Sequence, residues 1–394
     1  MSFNSTPSSE RVHIGFFGLR NAGKSSVVNA VTAQELSLVS DVKGTTTDPV
    51  RKAMELLPIG PVVIIDTPGT DDEGALGEQR VKRAMKTLDE TDIAVLVIDA
   101  EKGETQADEE LKKLITERKI PLITVYNKAD LLPAVPTARE NTLYVSAASG
   151  TNIFELKEML GRIAADGKKE KRLIGDLLQK DDIVVLVTPI DESAPKGRMI
   201  LPQQQTIRDV LDSDAVCLVT KETQLEALIA SLPKKPRLVV TDSQAFGFVN
   251  KVVPKDIPLT SFSMLFARYK GDLFALADGA DALDTLRDGD RVLISEGCTH
   301  HRQCNDIGTV KLPNWVSKYT GKDIVFDFTS GRDFPEDVSE YSLVIHCGGC
   351  MLNDAEISSR AKRAKAQGVP MTNYGTAIAK MHGILDRAIK PLKK

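Results

Sequence analysis

The sequence predicts an α/β protein with a parallel sheet in its first domain and two smaller α/β domains after it. Apolar runs of strand length alternate with helical stretches along the whole chain, which is typical of parallel sheets. The chain of 394 residues is also too long for a single domain with one hydrophobic core, since domains average roughly 100 to 200 residues. We predict domains at 1–168, 174–266 and 270–394, with the first boundary in the basic stretch AADGKKEKRL.

Composition narrows the classes of partner. Hydrophobic residues make up 42% of the chain and charged residues 27%, with a net charge of −4, which is typical of a globular protein and not of a basic nucleic-acid-binding one. No run approaches the roughly 18 apolar residues of a membrane helix, and the start MSFNSTPSSE lacks the layout of a signal peptide. We expect a cytoplasmic protein that has neither a membrane nor a nucleic acid as its partner.

The first predicted elements are an apolar strand, VHIGFFG, the loop GLRNAGKS and a helix. The loop is a complete G-x-x-x-x-G-K-S pattern in the strand-to-helix context that the pattern requires. Its glycines let backbone N–H groups curl around phosphate oxygens, the helix N-terminus adds a positive dipole, and Lys24 reaches the terminal phosphates. Ser25 is placed to bind magnesium. The residues predicted to hold the nucleotide here are Gly18, Asn21, Ala22, Gly23, Lys24, Ser25 and Ser26.

The next strands end in loops that extend the same site. The strand VVIIDTPG ends with Asp66, which is predicted to lie beside the magnesium, and with Gly69 near the last phosphate. The run DIAVLVIDA supplies one more buried strand. All these loops lie at strand carboxyl ends, where such sheets bind ligands.

Two further strands end in loops suited to a guanine base. ITVYNKAD ends with Asn127, Lys128 and Asp130, whose carboxylate can accept both donors of a guanine edge. LYVSAASG ends in a loop whose backbone can cap the base. The capping residues are Ser146, Ala147 and Ala148.

This set of loops resembles the GTPase superfamily, in which the Asn-Lys-x-Asp pattern selects GTP over ATP, and the first domain is therefore expected to be a P-loop GTPase domain. KGTTTDPV and Asn21 are similar to the branch that includes Era and the tRNA-modifying GTPase of bacteria. The resemblance implies that Asn21 binds potassium and that Thr46 is the switch threonine on magnesium, with Thr45 and Thr47 as neighbouring alternatives. It implies a Mg²⁺-dependent, potassium-stimulated enzyme that binds GTP and GDP. The implied catalytic residues are Lys24, Thr46, Asp66 and Gly69, and the implied magnesium ligands are Ser25, Thr46 and Asp66.

The middle segment predicts a second, smaller parallel sheet. The apolar runs DIVVLVTPI, AVCLVT and RLVVTD alternate with helical stretches, and no phosphate loop accompanies them. The long loop in VTPIDESAPKGRMILPQQQ, rich in proline and charge, favours an interface. Cys217 lies within a strand and is expected to act as a small buried hydrophobe. We predict that this domain forms a homodimer.

The remaining cysteines lie in the third domain. DRVLISEGCTHHRQCND is a strand running into Cys298, and EYSLVIHCGGCMLND is a strand running into the C-x-x-C of Cys347 and Cys350. The glycines between these two cysteines permit the turn that brings both sulfurs to one metal, and Cys298 can complete a triangle. Both loops leave strand carboxyl ends, so we expect them at one edge of a third sheet.

Four interpretations fit these residues. Cys347 and Cys350 could be a redox pair, although a helix should then follow the pair directly. A structural zinc site would add one of His300, His346 or Cys304 to the three thiolates. An iron–sulfur cluster would use the three thiolates and leave one iron for a weaker ligand. The last interpretation is a set of thiols without a metal. Chemistry alone leaves zinc and iron–sulfur open.

The order of these motifs resembles the [FeFe]-hydrogenase maturation GTPases over the whole chain. A Cys-x-His pair at Cys298 is followed, after a gap, by His-Cys-x-x-Cys ending at Cys350, behind a GTPase domain of the branch named above. The resemblance implies that Cys298, Cys347 and Cys350 bind a [4Fe–4S] cluster with a labile fourth position. The candidates for the fourth ligand, or for contacts around the ligands, are His300, His346 and Glu296.

The resemblance also implies a role. It implies a scaffold that holds a diiron subcluster precursor and delivers it to apo-[FeFe]-hydrogenase, alongside the radical-SAM maturases of the same pathway. The main alternative is an Era-like GTPase that binds RNA or ribosomes and carries a structural zinc domain, which the acidic balance disfavours. A second alternative is a redox enzyme that uses Cys347 and Cys350 and does not need Cys298.

Overall fold

A computed structural model describes residues 6–33, 49–67, 84–137, 139–167, 171–189, 199–297 and 306–393. The chain forms two compact units, Met1–Lys169 and Glu170–Lys394. Within the described ranges no helix is both long and apolar enough to cross a membrane. Four of the predicted site residues lie outside the described residues, namely Thr46, Gly69, Cys298 and His300.

The first unit is built on a six-stranded sheet in the order β2-β3-β1-β4-β5-β6. Its strands are β1 (Val12–Phe17), β2 (Val50–Leu56), β3 (Gly60–Asp66), β4 (Ile93–Asp99), β5 (Leu122–Asn127) and β6 (Thr142–Tyr144). Its helices are α1 (Lys24–Thr32), α2 (Gln106–Glu117) and α3 (Ile153–Gly167), and residues 84–89 are also helical. All neighbours are parallel except β2, which runs antiparallel to β3. The predicted parallel sheet is therefore confirmed, with one antiparallel edge strand added.

Helices cover both faces of this sheet, because alternate residues of a strand point to opposite faces. Phe16 packs with Val27 and Val28 of α1 on one face. Phe17 packs with Leu111 and Ile115 of α2 on the other. With both faces buried, the sheet presents its carboxyl edge as the place where loops can hold a ligand.

The second unit contains two four-stranded parallel sheets. Their orders are β10-β9-β7-β8 and β12-β11-β13-β14, so the first and third strands of each set are neighbours at the centre of both sheets. The first sheet contains β7 (Ile183–Val187), β8 (Val216–Thr220), β9 (Leu238–Thr241) and β10 (Leu259–Ser261), with α4 (Leu201–Leu211), α5 (Leu225–Ser231), α6 (Phe246–Val252) and α7 (Phe262–Lys270). The second contains β11 (Arg291–Glu296), β12 (Val325–Ser330), β13 (Leu343–His346) and β14 (Met371–Asn373), with α8 (Leu273–Gly279), α9 (Leu312–Thr320), α10 (Asp354–Ala366), α11 (Tyr374–Met381) and α12 (Leu385–Ile389).

The two sheets of the second unit share one hydrophobic core. Buried residues from both sheets and from α7 and α11 form a single cluster. The helices α7 and α11 each follow the fourth strand of a sheet, and each begins at a capping side chain, Ser261 or Asn373. The second residues of these helices meet, because a Cβ added to Gly375 would lie 2.1 Å from Ser263 Oγ. The limits that we predict for the second and third domains stay a prediction.

Some elements differ from their sequence expectation. The C-terminal stretch TNYGTAIAKMHGILDRAIKPLKK has the sequence pattern of one amphipathic helix, but it divides into β14, α11 and α12. The break falls at Gly383, whose φ of +64° is a left-handed conformation that ends α11. Cys217 lies on the edge strand β8 and is only partly buried, although its burial still raises the pKa of the thiol to about 11.

Candidate functional site

The phosphate loop runs from the end of β1 to the start of α1. Gly18 and Gly23 both have positive φ, at +145° and +82°. A Cβ on Gly18 would lie 2.2 Å from the carbonyl oxygen of Val97, and a Cβ on Gly23 would lie 2.2 Å from Asn127 Nδ2. Only glycine fits these positions, so the loop can wrap closely against β4 and the loop after β5. The N-terminus of α1 then points its free N–H groups at the space in front of it.

A buried charge pair lies at the mouth of this loop. Lys24 is 8% exposed, and its Nζ is 3.4 Å from Asp66 Oδ1 at the end of β3. Ser25 Oγ donates a hydrogen bond of 3.1 Å to Asp66 Oδ2. Asp66 Oδ1 is buried and accepts no hydrogen bond from the described residues. A lysine, a serine and an unsatisfied carboxylate oxygen therefore fit the phosphates and the magnesium ion of a bound nucleotide.

Asn127 joins the phosphate loop to the predicted base-binding loops. Its Nδ2 donates to the Ala22 carbonyl at 3.0 Å, and its Oδ1 accepts the N–H of Ala147 at 3.1 Å. The side chain is 3% exposed. Asn127 therefore fixes the relative positions of three sequence-distant loops, and it brings together Ala22, Gly23 and Ala147, which the sequence analysis predicts as nucleotide-binding residues.

The other base-binding candidates stand at the same edge. Lys128 adopts a φ of +67°, and its Nζ contacts Asp99 Oδ2 at 2.6 Å. Burial raises the pKa of Asp99, but the hydrogen bond and charge of Lys128, together with backbone hydrogen bonds from Glu101 and Lys102, outweigh burial and leave that pKa below its usual value. Asp130 is exposed, so its carboxylate is accessible to a base. Ser146 Oγ accepts the N–H of Ser149 at 3.1 Å and so shapes the capping loop.

The cysteine loop, residues 347–352, follows β13 at the centre of the second sheet in the second unit. Cys347 Sγ accepts two backbone N–H bonds, from Gly297 at 3.0 Å and from Gly349 at 3.3 Å. Gly297 follows β11, which pairs directly with β13. From β11 the chain continues to β12 on one side of this pair, and from β13 it continues to β14 on the other side. The strand order therefore reverses between β11 and β13, and α/β sheets bind ligands at such a switch point.

The donor set around Cys347 suits a metal-bound thiolate. Burial raises the pKa of the Cys347 thiol to about 11, while the N–H bonds from Gly297 and Gly349 oppose that rise. Burial likewise raises the pKa of Cys350, and the charge of Lys270 opposes it. A partly buried sulfur that receives N–H bonds, as Cys347 does, is well suited to a cation, which would compensate the charge that burial disfavours. Among the residues that the structure describes, no three His, Cys, Asp or Glu side chains form a ready metal cluster.

His346 is 2% exposed, and both of its ring nitrogens have protein partners. Arg360 Nη1 donates to Nε2 at 3.0 Å, and Nδ1 lies 2.7 Å from the Cys347 carbonyl. A guanidinium can only donate, so Nε2 accepts and the ring proton lies on Nδ1, where it donates to the carbonyl. Burial, with the Arg360 charge, lowers the pKa of His346 to about 3.

Arg360 connects this histidine to a wider buried network. Its Nη2 donates to Glu356 Oε1 and to the Gly331 carbonyl, each at 2.7 Å. Its Nη1 also lies 3.3 Å from Ser295 Oγ. Sequence reasoning missed Arg360 and Glu356, whose only signal is two opposite charges four residues apart on a helix.

Glu296, the last residue of β11, is the remaining sequence candidate. Tyr374 donates its hydroxyl to Glu296 Oε1 at 3.2 Å. A Cβ on Gly308 would approach that same oxygen to 2.3 Å, so the carboxylate is held closely between two elements. Burial, together with the nearby Cys347 and Glu296, raises the pKa of Tyr374 well above its usual value, so its hydroxyl stays a donor.

Comparison with known proteins matches three family models in chain order. The model described as "50S ribosome-binding GTPase" matches residues 13–128. The "Hydrogen maturase F dimerization domain" matches residues 173–271, and the "Hydrogen maturase F tetramerization domain" matches residues 273–391. The first unit thus carries a GTPase domain, and the two sheets of the second unit fall in two separate matched domains.

Several curated proteins are similar over part of the chain. The tRNA modification GTPase MnmE of Nitrosomonas europaea is 34% identical over 160 residues, which is 39% of this chain and 35% of that protein. MnmE of a Synechococcus strain is 38% identical over 177 residues, which is 43% of this chain and 37% of that protein. GTPase Der of Kosmotoga olearia is 32% identical over 170 residues, which is 39% of this chain and 38% of that protein. The chain spans little more than a third of the length of these relatives.

Proposed function

The chain belongs to the hydrogen maturase F family of GTPases, and we propose that it hydrolyses GTP in its first unit and carries an iron–sulfur cluster and its diiron cargo in its second. One observation carries this proposal. A phosphate loop with a buried Lys24 and Asp66 pair stands in the same chain as a partly buried Cys347 that receives two N–H bonds at a sheet switch point.

In the GTPase domain, we propose a role for each of the following described residues. Lys24 neutralises the terminal phosphates, and the loop N–H groups at the start of α1 hold the phosphate oxygens. Ser25 and Asp66 bind Mg²⁺, which replaces the hydrogen bond that they now make with each other. Asp130 reads the guanine edge, and Asn127 keeps its loop against the phosphate loop. Asn21, with a φ of +65°, is the proposed potassium ligand.

In the second unit, Cys347 and Cys350 would hold a [4Fe–4S] cluster together with Cys298. A three-thiolate cluster supplies an iron with an exchangeable fourth position, which suits a carrier that must release its cargo. The bonds of His346 favour a role in orienting Cys347 over a role as the fourth ligand. Glu296 keeps a carboxylate beside Gly297 and is the described candidate for the fourth position.

The second unit also favours self-association. Val216 and Val219 are each 45% exposed on β8, an edge strand of its sheet. The outer edge of β8 has no partner strand among the described residues, and an exposed apolar edge is a template for pairing. We place the homodimer contact there, with β8 of a second copy pairing across a two-fold axis. The proposed clients are apo-[FeFe]-hydrogenase and the radical-SAM maturases, and the proposed location is the cytoplasm.

The deciding experiment is iron, zinc and acid-labile sulfide analysis with low-temperature EPR, on protein purified and reconstituted without oxygen. A Cys298→Ala, Cys347→Ala double variant is the comparison, and Cys217→Ala is the matched control. About four irons with sulfide, lost only in the double variant, would support the carrier role. One tightly bound zinc without sulfide would instead leave a GTPase with a structural zinc domain.

A further inference from the structure

One helix of the middle sheet holds the cysteine loop at two points. A Cβ added to Gly348 would lie 3.6 Å from Ser263 Cβ, near the start of α7. Lys270, the last residue of α7, meets the other end of the loop. The helix lies in the segment matched to the dimerization domain, whereas the loop lies in the segment matched to the tetramerization domain. The contact therefore joins the two halves of the second unit at the cysteine loop.

Lys270 is a buried lysine whose ammonium group is surrounded by loop carbonyls. Its Nζ donates to the carbonyl oxygens of Gly349 at 3.1 Å, Cys350 at 3.3 Å and Leu352 at 2.6 Å. The residue is 5% exposed, and its Nζ lies 5.7 Å from the centroid of the Phe266 ring. A buried ammonium group is costly unless its protons are hydrogen-bonded, and these carbonyls meet that need.

The same bonds constrain the loop. Gly349 has a φ of +64°, so the turn between the two cysteines is tight. Three carbonyl groups of this turn converge on one ammonium group, which fixes the orientation of the peptide planes that follow Gly349, Cys350 and Leu352. The Gly349 N–H belongs to the preceding peptide plane and donates to Cys347 Sγ at 3.3 Å, so a displacement of Gly349 would disturb this bond as well. Hydrogen bonds from a charged donor are stronger than neutral ones, so a neutral residue would hold the turn less firmly.

We propose that Lys270 is a positioning residue for the iron–sulfur site, which fixes the cysteine loop in its metal-binding shape and places a positive charge beside the thiolates. The inference rests on the proposed function for its second part only. Fixing the loop is a property of the protein without metal, whereas the effect of the charge needs the cluster. A positive charge stabilises the reduced, more negative cluster and therefore raises its midpoint potential.

The first test uses metal-free protein. Lys270→Gln, Lys270→Met and Lys270→Arg are compared with wild type, with Lys380→Gln as the matched control because Lys380 pairs with Asp281 and Asp284 instead. Alkylation by iodoacetamide is followed by peptide mass spectrometry, with Cys217 as the internal reference. We expect the rate at Cys347 to rise at least about tenfold in both neutral variants, and less in Lys270→Arg. The rate at Cys350 is left out of the comparison, because losing the Lys270 charge also raises the pKa of the Cys350 thiol and slows its alkylation. Wild-type rates in Lys270→Gln would overturn the positioning role.

The second test uses reconstituted protein and measures the midpoint potential by EPR-monitored titration. The neutral variants should shift the reduction equilibrium at least tenfold toward the oxidised cluster, which is about 59 mV for one electron. Lys270→Arg should stay near the wild-type potential. An unshifted potential in Lys270→Gln would overturn the charge effect. If wild type binds no cluster, the proposed carrier function fails, and the alkylation rates still decide whether Lys270 fixes the loop. If Lys270→Met does not fold, the closely shaped Lys270→Gln decides both tests.

Discussion

Lys24 and Asp66 form an ion pair at the phosphate loop, where both charges can bind parts of a nucleotide complex. Both side chains are about nine-tenths buried, and Asp66 keeps one oxygen without a hydrogen bond in the described structure. Ion pairs of this burial give little net stability, because desolvation offsets their attraction. Their burial is therefore better explained by the nucleotide and magnesium that they can bind.

Replacing Lys24 separates the two proposed activities. Lys24→Ala should lower the rate of GTP hydrolysis at least about a hundredfold, because it removes the main charge on the terminal phosphates. Iron and sulfide content after reconstitution should stay at the wild-type level, because the cysteines lie in the other unit. Lys112→Ala on α2, which removes a surface pair with Glu104, is the control for both assays. Loss of iron in Lys24→Ala would contradict independent sites.

The chain offers a matched pair of substitutions for the Arg360 network. Arg360 pairs with Glu356 and Arg208 with Asp212, both at a spacing of four residues and both at 2.7 Å, but only the first pair is buried. Arg360→Gln should destabilise the second unit by about 3 kcal/mol, because Glu356 keeps its burial and loses a charged partner. Arg208→Gln should leave the urea midpoint close to that of the wild type, because both members of its pair are exposed to solvent. Urea unfolding followed by the fluorescence of Trp315, the single tryptophan, measures both. Equal destabilisation by Arg360→Gln and Arg208→Gln would refute the idea that burial makes the Arg360 pair costly to break.

For individual residues, the sequence predicted those that belong to a motif. It missed those that are distant in sequence and contact the motif only in the folded chain. Lys24, Asn127 and Cys347 were found because each stands in a short pattern with a chemical reason for its spacing. Lys270 was missed, since it lies 79 to 82 positions from the carbonyls that it binds and no local pattern marks it. The bonds of His346 to Arg360 were likewise hidden, because they depend on how α10 packs against β13.

Among the elements, the buried strands were predictable and the exposed ones less so. β4 is buried along its whole length and reads as a continuous apolar run. β2 is mostly exposed and charged, VRKAMEL, so nothing in its composition distinguished it from a loop. Its antiparallel pairing with β3 comes from the chain around it and not from its own propensity.

A charge on the edge strand β8 tests the proposed dimer contact. Val219→Lys should convert dimers to monomers, because a lysine on an edge strand opposes strand pairing. Phe248→Lys is the matched control, since Phe248 is also a half-exposed apolar residue of the same sheet's domain, on α6. Size-exclusion chromatography with light scattering measures the mass of each variant. A Val219→Lys protein that stays dimeric would place the contact elsewhere.

At the scale of the whole molecule, each unit has a core of its own. The first unit buries its residues on the two faces of one sheet. The second buries residues of both its sheets in one shared cluster and has a smaller separate cluster around Leu293 and Val344. The sequence predicted the order of the segments, because each begins with strands and loops of its own type. It did not predict that the second and third segments would share a core, since such packing leaves no periodic signal in either segment.

Separate cores predict separate unfolding. Scanning calorimetry of the full chain should show two transitions, of which Trp315 fluorescence follows only that of the second unit. Mg²⁺ with GDP at about a hundred times its Kd should stabilise the first unit by about 2.7 kcal/mol and leave the tryptophan-monitored transition unchanged. ATP in place of GDP is the control. A tryptophan transition that rises equally with GDP would show that the units unfold together.

The repeated strand order of the second unit bears on how such a chain arises. Two sheets with one order, and two helices that meet at Ser263 and Gly375, are what duplication of a single ancestral gene segment would leave. After duplication, one copy can acquire cysteines while the other keeps the fold intact. The cysteines that we propose as metal ligands would then be the younger feature, added to one half of an older symmetric pair.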